Sequence, residues 1–92
     1  MLNFEWDRKK AASNVDRHGI SFKEAATIFA DPLSDFFYDP DHSDNEDRYV
    51  SIGLSKFGNI LVVVFTEKND IIRIISARKA TKKERKHYED GK

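Results

Sequence analysis

Three side chains that can move protons and hold phosphate stand within seven positions: His42, Glu46 and Arg48. They bring an imidazole, a carboxylate and a guanidinium to one segment. RNA cleavage without metal needs a base for the 2′-hydroxyl and an acid for the leaving oxygen. It also needs cations where charge develops at phosphorus. His42, Glu46 and Arg48 supply those types. A cationic group closes the chain: Arg73, Arg78, Lys79, Lys82, Lys83, Arg85 and Lys86. Arg73 sits among Ile71, Ile72, Ile74 and Ile75. An arginine there is costly unless it pairs with an acid or reaches a cleft. Arg78, at a strand end beside a helix start, is the best placed of the group. The Lys82–Lys86 run either grips phosphates or forms a solvated helix face. Arginine can also stack on unpaired bases.

Other chemistries find little support. Seven acids crowd positions 31–47, namely Asp31, Asp35, Asp39, Asp41, Asp44, Glu46 and Asp47, with no Lys or Arg before Arg48. A calcium loop starting at Asp39 needs glycine at its sixth place and glutamate at its twelfth. Those places hold Asp44 and Val50. The histidines His18, His42 and His87 form no i, i+4 pair of the zinc-protease type. No metal site and no cofactor are therefore expected. The acidic stretch reads as a solvated loop or as a docking surface for a basic segment of a partner. There is no cysteine, no Gly-x-Ser-x-Gly elbow and no phosphate-cradling glycine loop.

These residues need elements to hold them. Phe4–Trp6 reads as a short strand. Asp7 is a helix N-cap and Gly19 a C′ residue for a helix over 8–18. Ser21 and Glu24 form a capping-box pattern, followed by an apolar stripe Phe22, Ala25, Ala26, Phe29 that Asp31-Pro32 ends. Leu33–Tyr38 is a candidate strand. Tyr49–Leu54 alternates, with Val50, Ile52 and Leu54 on one side. Ile60–Phe65 is apolar on both faces, which suits a central strand. Ile71–Ala77 follows the turn Glu67–Asp70. Short turns between consecutive strands call for antiparallel pairing. Thr81 and Glu84 are a second capping box, opening a helix in which Tyr88 is the strong apolar residue. By strand parity Arg48 shares the phase of Val50 and Ile52, and Arg78 that of Ile72 and Ile74. Trp6 and His18 read as core or core-edge residues. The expected fold is α+β: two N-terminal helices on an antiparallel sheet of three to four strands, plus a C-terminal helix.

Ninety-two residues leave room for one domain, over 1–92, and no second core. Charge cancels overall, 16 basic against 16 acidic residues. The balance is uneven along the chain: residues 1–60 carry 7 basic and 11 acidic side chains, and residues 61–92 carry 9 and 5. Such asymmetry points to a nucleic-acid or charged protein partner. No apolar run approaches the length of a membrane span. The start, Met1-Leu-Asn-Phe-Glu5, lacks an export signal. A cytoplasmic protein without membrane contact is expected.

The pattern as a whole resembles a known family. Phe4-Glu-Trp-Asp-Arg-Lys-Lys10, Asn14, Arg17-His-Gly-Ile-Ser-Phe22, Glu24-Ala25 and Phe29-Ala-Asp-Pro32 carry the likeness in the N-terminal half. His42-Ser43, Glu46, Arg48-Tyr49, Ile52-Gly-Leu-Ser55, Arg73-Ile-Ile-Ser-Ala-Arg-Lys-Ala80, Glu84-Arg85 and Tyr88 continue it. Nearly the whole chain is similar to BrnT-type toxins of type II toxin–antitoxin pairs. That resemblance implies a RelE-like fold and a metal-independent endoribonuclease that inhibits translation. It implies neutralisation by a BrnA-type ribbon-helix-helix antitoxin in a 2:2 heterotetramer, which holds operator DNA through the antitoxin. Arg48 and Arg78 match positions expected at the RNA-facing site, with Glu46 or His42 handling the proton. Arg73, Lys79, Lys82, Lys83, Arg85 and Lys10 would contact RNA. The alternative is a non-catalytic binding module acting through a protein partner with DNA or RNA.

Overall fold

Asp7 starts the first helix. Its backbone is extended and its carboxylate accepts the Lys10 N–H at 3.0 Å. Helix α1, Arg8–His18, then runs to Gly19, whose φ of 69° puts it in the left-handed region that glycine tolerates. Helix α2, Phe22–Ala26, is capped by Ser21, whose Oγ accepts the Glu24 N–H at 3.0 Å. The reciprocal half of the expected capping box does not form. The Glu24 carboxylate turns inward and accepts from Ser55 Oγ and Asn59 Nδ2, both at 2.7 Å. Two directed donors hold this 8% exposed carboxylate, where the box would offer one N–H at the surface. The helix expected to reach Asp31 also tightens into a 3₁₀ turn over Thr27–Ala30. The Thr27 hydroxyl donates to the Glu24 carbonyl at 2.7 Å and competes with the helical ladder. The computed structural model describes residues 2–42 and 46–91, without the side chain of His42. The expectations for the His42 imidazole and for Asp44 lie outside the described residues.

Five strands form one mixed sheet: β1 (Asn3–Glu5), β2 (Asp35–Asp39), β3 (Arg48–Leu54), β4 (Ile60–Lys68) and β5 (Ile71–Lys79). Their order is β1-β5-β4-β3-β2. This corrects the expected antiparallel sheet of three to four strands. Neighbours from β2 to β5 are antiparallel, but β1 lies parallel to β5, with Phe4 opposite Ile72. A three-residue strand carries no readable period, and its partner lies at the far end of the sequence. Asn69 and Asp70, with φ of 53° and 65°, make the tight turn into β5.

The helices α1 and α2 cover one face. Ile20, Phe22, Ala25 and Ile28 bury against Leu61, Val63, Phe65, Ile72, Ile74 and Ala77. Trp6 meets Phe22 edge-on at 6.0 Å, in the core role expected of it. On β3 the helix-side residues beneath the 3₁₀ turn, Ser51 and Gly53, are small, and Tyr49 follows them. A Cβ at Gly53 would stand 3.0 Å from the Cβ atoms of both Ile28 and Ser34, so only glycine lets this turn approach. The opposite face is covered at one end alone. Helix α3, Lys82–Asp90, buries Tyr88 on Ile52 and Val62. The Tyr88 hydroxyl donates to Asp31 Oδ2, which also accepts the Leu54 N–H at 2.8 Å. Thus one aromatic side chain and one partly buried carboxylate dock a helix that is otherwise polar.

A bulge decides which face Arg78 takes. Phe65 pairs with Ile74 but Val64 pairs with Ser76, leaving Ile75 as the extra residue. Before it, Ile72 and Ile74 face the helices; after it, Ala77 does. Arg78 consequently stands on the face away from α1 and α2. The expected shared phase with Ile72 and Ile74 is overturned by this one inserted residue. Beside the bulge, buried Asn14 of α1 donates to the Ala77 and Ile20 carbonyls at 2.7 and 2.9 Å. It also accepts the Ala77 N–H at 3.0 Å.

Candidate nucleic-acid interface

The face left open by α1 and α2 has a shallow apolar floor. Strand alternation from the registers Val50–Val64, Ile52–Val62 and Val62–Arg78 places Val50, Ile52, Val62 and Val64 on it. Phe37, opposite Val50, and Ser76, opposite Val64, join them. Arg48 shares the parity of Val50 and stands at one end; Arg78 stands at the other. Four residues of strand and two strand spacings separate their Cα atoms, about 16 Å by standard sheet geometry. The two arginines share the face without converging on one point.

Arg78 is held in a fork. Its Nη1 donates to Glu84 Oε1 at 2.7 Å and its Nη2 to Glu84 Oε2 at 2.9 Å. Nη1 also donates to the Lys79 carbonyl at 3.3 Å. The same Glu84 oxygen that receives Nη1 accepts the Thr81 N–H at 2.8 Å, completing the capping box. Strand end and helix start are thereby tied through one carboxylate. The Arg78 hydrogen bonds hold the Glu84 carboxyl well below the usual range, at about 2, and Arg78 itself is raised by the same partner. Because the folded value lies below the ordinary 4.5, this pair's stabilisation is complete above about pH 4.5. It is lost as pH falls toward 2. An NMR titration of the Glu84 carboxyl carbon should show a midpoint near 2; a midpoint near 4.5 would mean the fork is open in solution.

At the other end Arg48 Nε lies 3.9 Å from Glu46 Oε1, both side chains partly exposed. A guanidinium and a carboxylate of the expected set are therefore side by side. Arg73 is the mid-strand arginine, and the parallel register sets it opposite Glu5. Its Nη1 donates to Glu5 Oε2 at 2.7 Å at the surface, which satisfies the need for an acid without burial. A cavity of about 390 Å³ opens between Glu5, Glu46, Asp47, Glu67, Lys68 and Arg73. Four carboxylates against two cations make it a poor seat for phosphate.

The remaining expected contacts spread outward. Lys79 is exposed at the end of β5, and Lys82, Lys83 and Arg85 are exposed on α3. Lys10 lies off the open face, in a groove along the outer margin of β5 with Arg17, His18 and Ser76. Two residues outside the expected set matter. Glu84 fixes Arg78, and its signal was the capping-box position three residues past Thr81. Phe37, half exposed, adds an aromatic ring to the open face. Among the described residues, no group of three or more His, Asp or Glu side chains is arranged to hold a metal ion.

Comparison with known proteins places this architecture. A crystal structure of the Brucella abortus ribonuclease toxin BrnT superimposes with a TM-score of 0.68 over 89% of this chain and 100% of that chain, at 22% identity. At that identity the likeness speaks for the fold. No curated protein matches the sequence. The family model described as ribonuclease toxin, BrnT, of type II toxin-antitoxin system matches residues 6–84, from Trp6 in the core to Glu84 in the Arg78 fork. With most of its length matched, this chain belongs to the BrnT family of ribonuclease toxins.

Proposed function

We propose that the chain is a metal-independent endoribonuclease that inhibits translation by cutting RNA laid across the open sheet face. The observation that carries this reading is the bulge at Ile75, which puts Arg78, beside α3, on the same side of the sheet as Arg48, away from α1 and α2. The separation of about 16 Å divides their labour. Glu46 stands beside Arg48, so the reacting phosphorus belongs at that end. Glu46 or His42 takes the 2′-hydroxyl proton, and the 2′-oxygen attacks phosphorus. The 5′-oxygen leaves and receives a proton, giving a 2′,3′-cyclic phosphate and a 5′-hydroxyl. Arg48 stabilises the charge that develops at phosphorus. Arg78 anchors a second phosphate of the same strand. Lys82, Lys83 and Arg85 extend the cationic track, Arg73 and Lys10 border it, and Lys79, opposite Leu61, stands at the strand end on the helix side. In this reading the toxin is cytoplasmic and is neutralised by a BrnA-type ribbon-helix-helix antitoxin. The two form a 2:2 heterotetramer that contacts operator DNA through the antitoxin.

Toxin freed of antitoxin and incubated with total RNA in EDTA should cut it, and the products should carry 2′,3′-cyclic phosphate ends. Intact RNA in that assay would count against an enzyme, and cutting restored only by added metal would refute metal independence. Retained RNA binding without cleavage would favour the binding-module reading.

A further inference from the structure

The strand β2 ends the sheet, and among the described residues no strand pairs its outer side. Natural edges are usually blunted by lysine, proline, a bulge or a covering element. Residues Asp35–Asp39 read Asp-Phe-Phe-Tyr-Asp and contain neither lysine nor proline. Instead the aromatic rings stand open: Phe36 is 64% exposed, Phe37 50% and Tyr38 47%. Phe36 and Tyr38 lean on Tyr49 at 6.2 and 5.8 Å, on the helix side of the sheet. Phe37 lies opposite Val50 on the other side. Both faces therefore offer rings next to a backbone edge that no described strand pairs. Asp35 and Asp39 bracket them, and Asp41 follows; residues 31–47 include no Lys or Arg, and of the two bracketing acids Asp39 already faces Arg48 across the ladder, so Asp35 is the one that sets the preference.

We propose that the outer edge of β2 receives an extended, basic segment of the antitoxin by strand addition. This rests on the antitoxin half of the reading above and not on RNA cleavage. Charge selects the occupant. Pairing β2 with a second copy, antiparallel about Phe37, would set Asp35 against Asp39 twice, and like charges directly opposite destabilise a ladder. A nucleic acid would bring phosphates onto the same carboxylates. A segment of the form basic–apolar–apolar–apolar–basic places its cations opposite Asp35 and Asp39 and its apolar side chains against the three rings. Main-chain bonds then give affinity and the side chains set register.

The test uses the full chain, labelled with ¹⁵N, and two nine-residue peptides. One has the core Lys-Val-Ile-Val-Lys and the other Glu-Val-Ile-Val-Glu, each flanked by glycine and serine. The lysine peptide should bind at least tenfold tighter and slow amide exchange in β2 but not in β1. Asp35→Lys should weaken that binding tenfold or more and narrow the preference between peptides. Equal binding of the two peptides, protection elsewhere on the protein, or sedimentation showing a dimer joined through β2 would each overturn the proposal. The peptide comparison on the unaltered chain stands even where the variant folds poorly. Because no RNA enters the experiment, its failure is separable from failure of the ribonuclease reading.

Discussion

Replacing Arg48 by alanine is expected to lower the turnover of RNA cleavage by about 10²–10³-fold, the usual effect of removing one donor aimed at developing charge. The KM should change little. Arg48 is the cation beside Glu46, so its loss touches the step at phosphorus more than the grip on the strand. Arg78→Ala should behave differently. Its donors already hold Glu84 and the Lys79 carbonyl, and what remains can hold a phosphate in the ground state. The expected result there is a KM raised about 10-fold or more, the size of one charge-assisted hydrogen bond, with turnover less affected. Glu84→Ala is the control, since it breaks the fork but keeps the arginine. If Glu84→Ala reproduces the full Arg78→Ala effect, the defect runs through the docking of α3. Steady-state kinetics on a short RNA, with thermal melts of each variant, separates these outcomes. Equal kcat losses for Arg48→Ala and Arg78→Ala would sink the division of labour.

The local elements were legible because their signals are local. Asp7 and Gly19 bound α1 as expected, and Thr81 with Glu84 open α3 with both halves of the box formed. Alternation in Tyr49–Leu54 assigned Val50 and Ile52 to one face correctly. What stayed hidden depends on distant partners. The parallel place of β1 beside β5 is decided by Phe4 packing into the shared core, which no three-residue window shows. Glu24 left its box because Ser55 and Asn59, more than thirty residues on, offered better donors. The candidate site suffered most. Strand parity counted forward from Ile72 put Arg78 under the helices, and the bulge moved it out. An Ile-Ile-Ser run carries no mark of an inserted residue. Charge along the sequence also overstated the separation in space. Arg73 meets Glu5 and Arg78 meets Glu84, so two members of the basic half are matched by acids. What remains of the dipole is the acidic β2 margin against exposed Lys82, Lys83 and Arg85 on α3. Asp31, grouped by sequence with the acidic loop, proves to be the anchor for Tyr88.

Asn14→Leu, which keeps side-chain volume while removing the amide, is expected to destabilise the fold by roughly 2–4 kcal/mol. Asn14 is 6% exposed and its three bonds end on backbone groups of Ala77 and Ile20. Those groups have no ready substitute. Strand β5 is paired with β4 on one side, but β1 covers its other side only as far as Arg73. Past that point the Asn14 amide acts as a short piece of strand, giving Ala77 both a donor and an acceptor. Leucine would leave an N–H and two carbonyls buried without partners, and each such group costs about 1–3 kcal/mol unless water reaches it. For a domain stable by about 5–15 kcal/mol the loss is severe. Asn14→Asp keeps the acceptor for the Ala77 N–H but sets a carboxylate against two carbonyls, so it should be no better than leucine at neutral pH. The consequence reaches the open face, because Ala77 and Arg78 are adjacent and the bulge must hold for Arg78 to point outward. Urea melts should therefore show the stability loss, and amide exchange of Ala77 should accelerate more than that of Val63 in the centre of β4. A melt within 0.5 kcal/mol of the parent would mean that water replaces the amide and that the bulge holds without it.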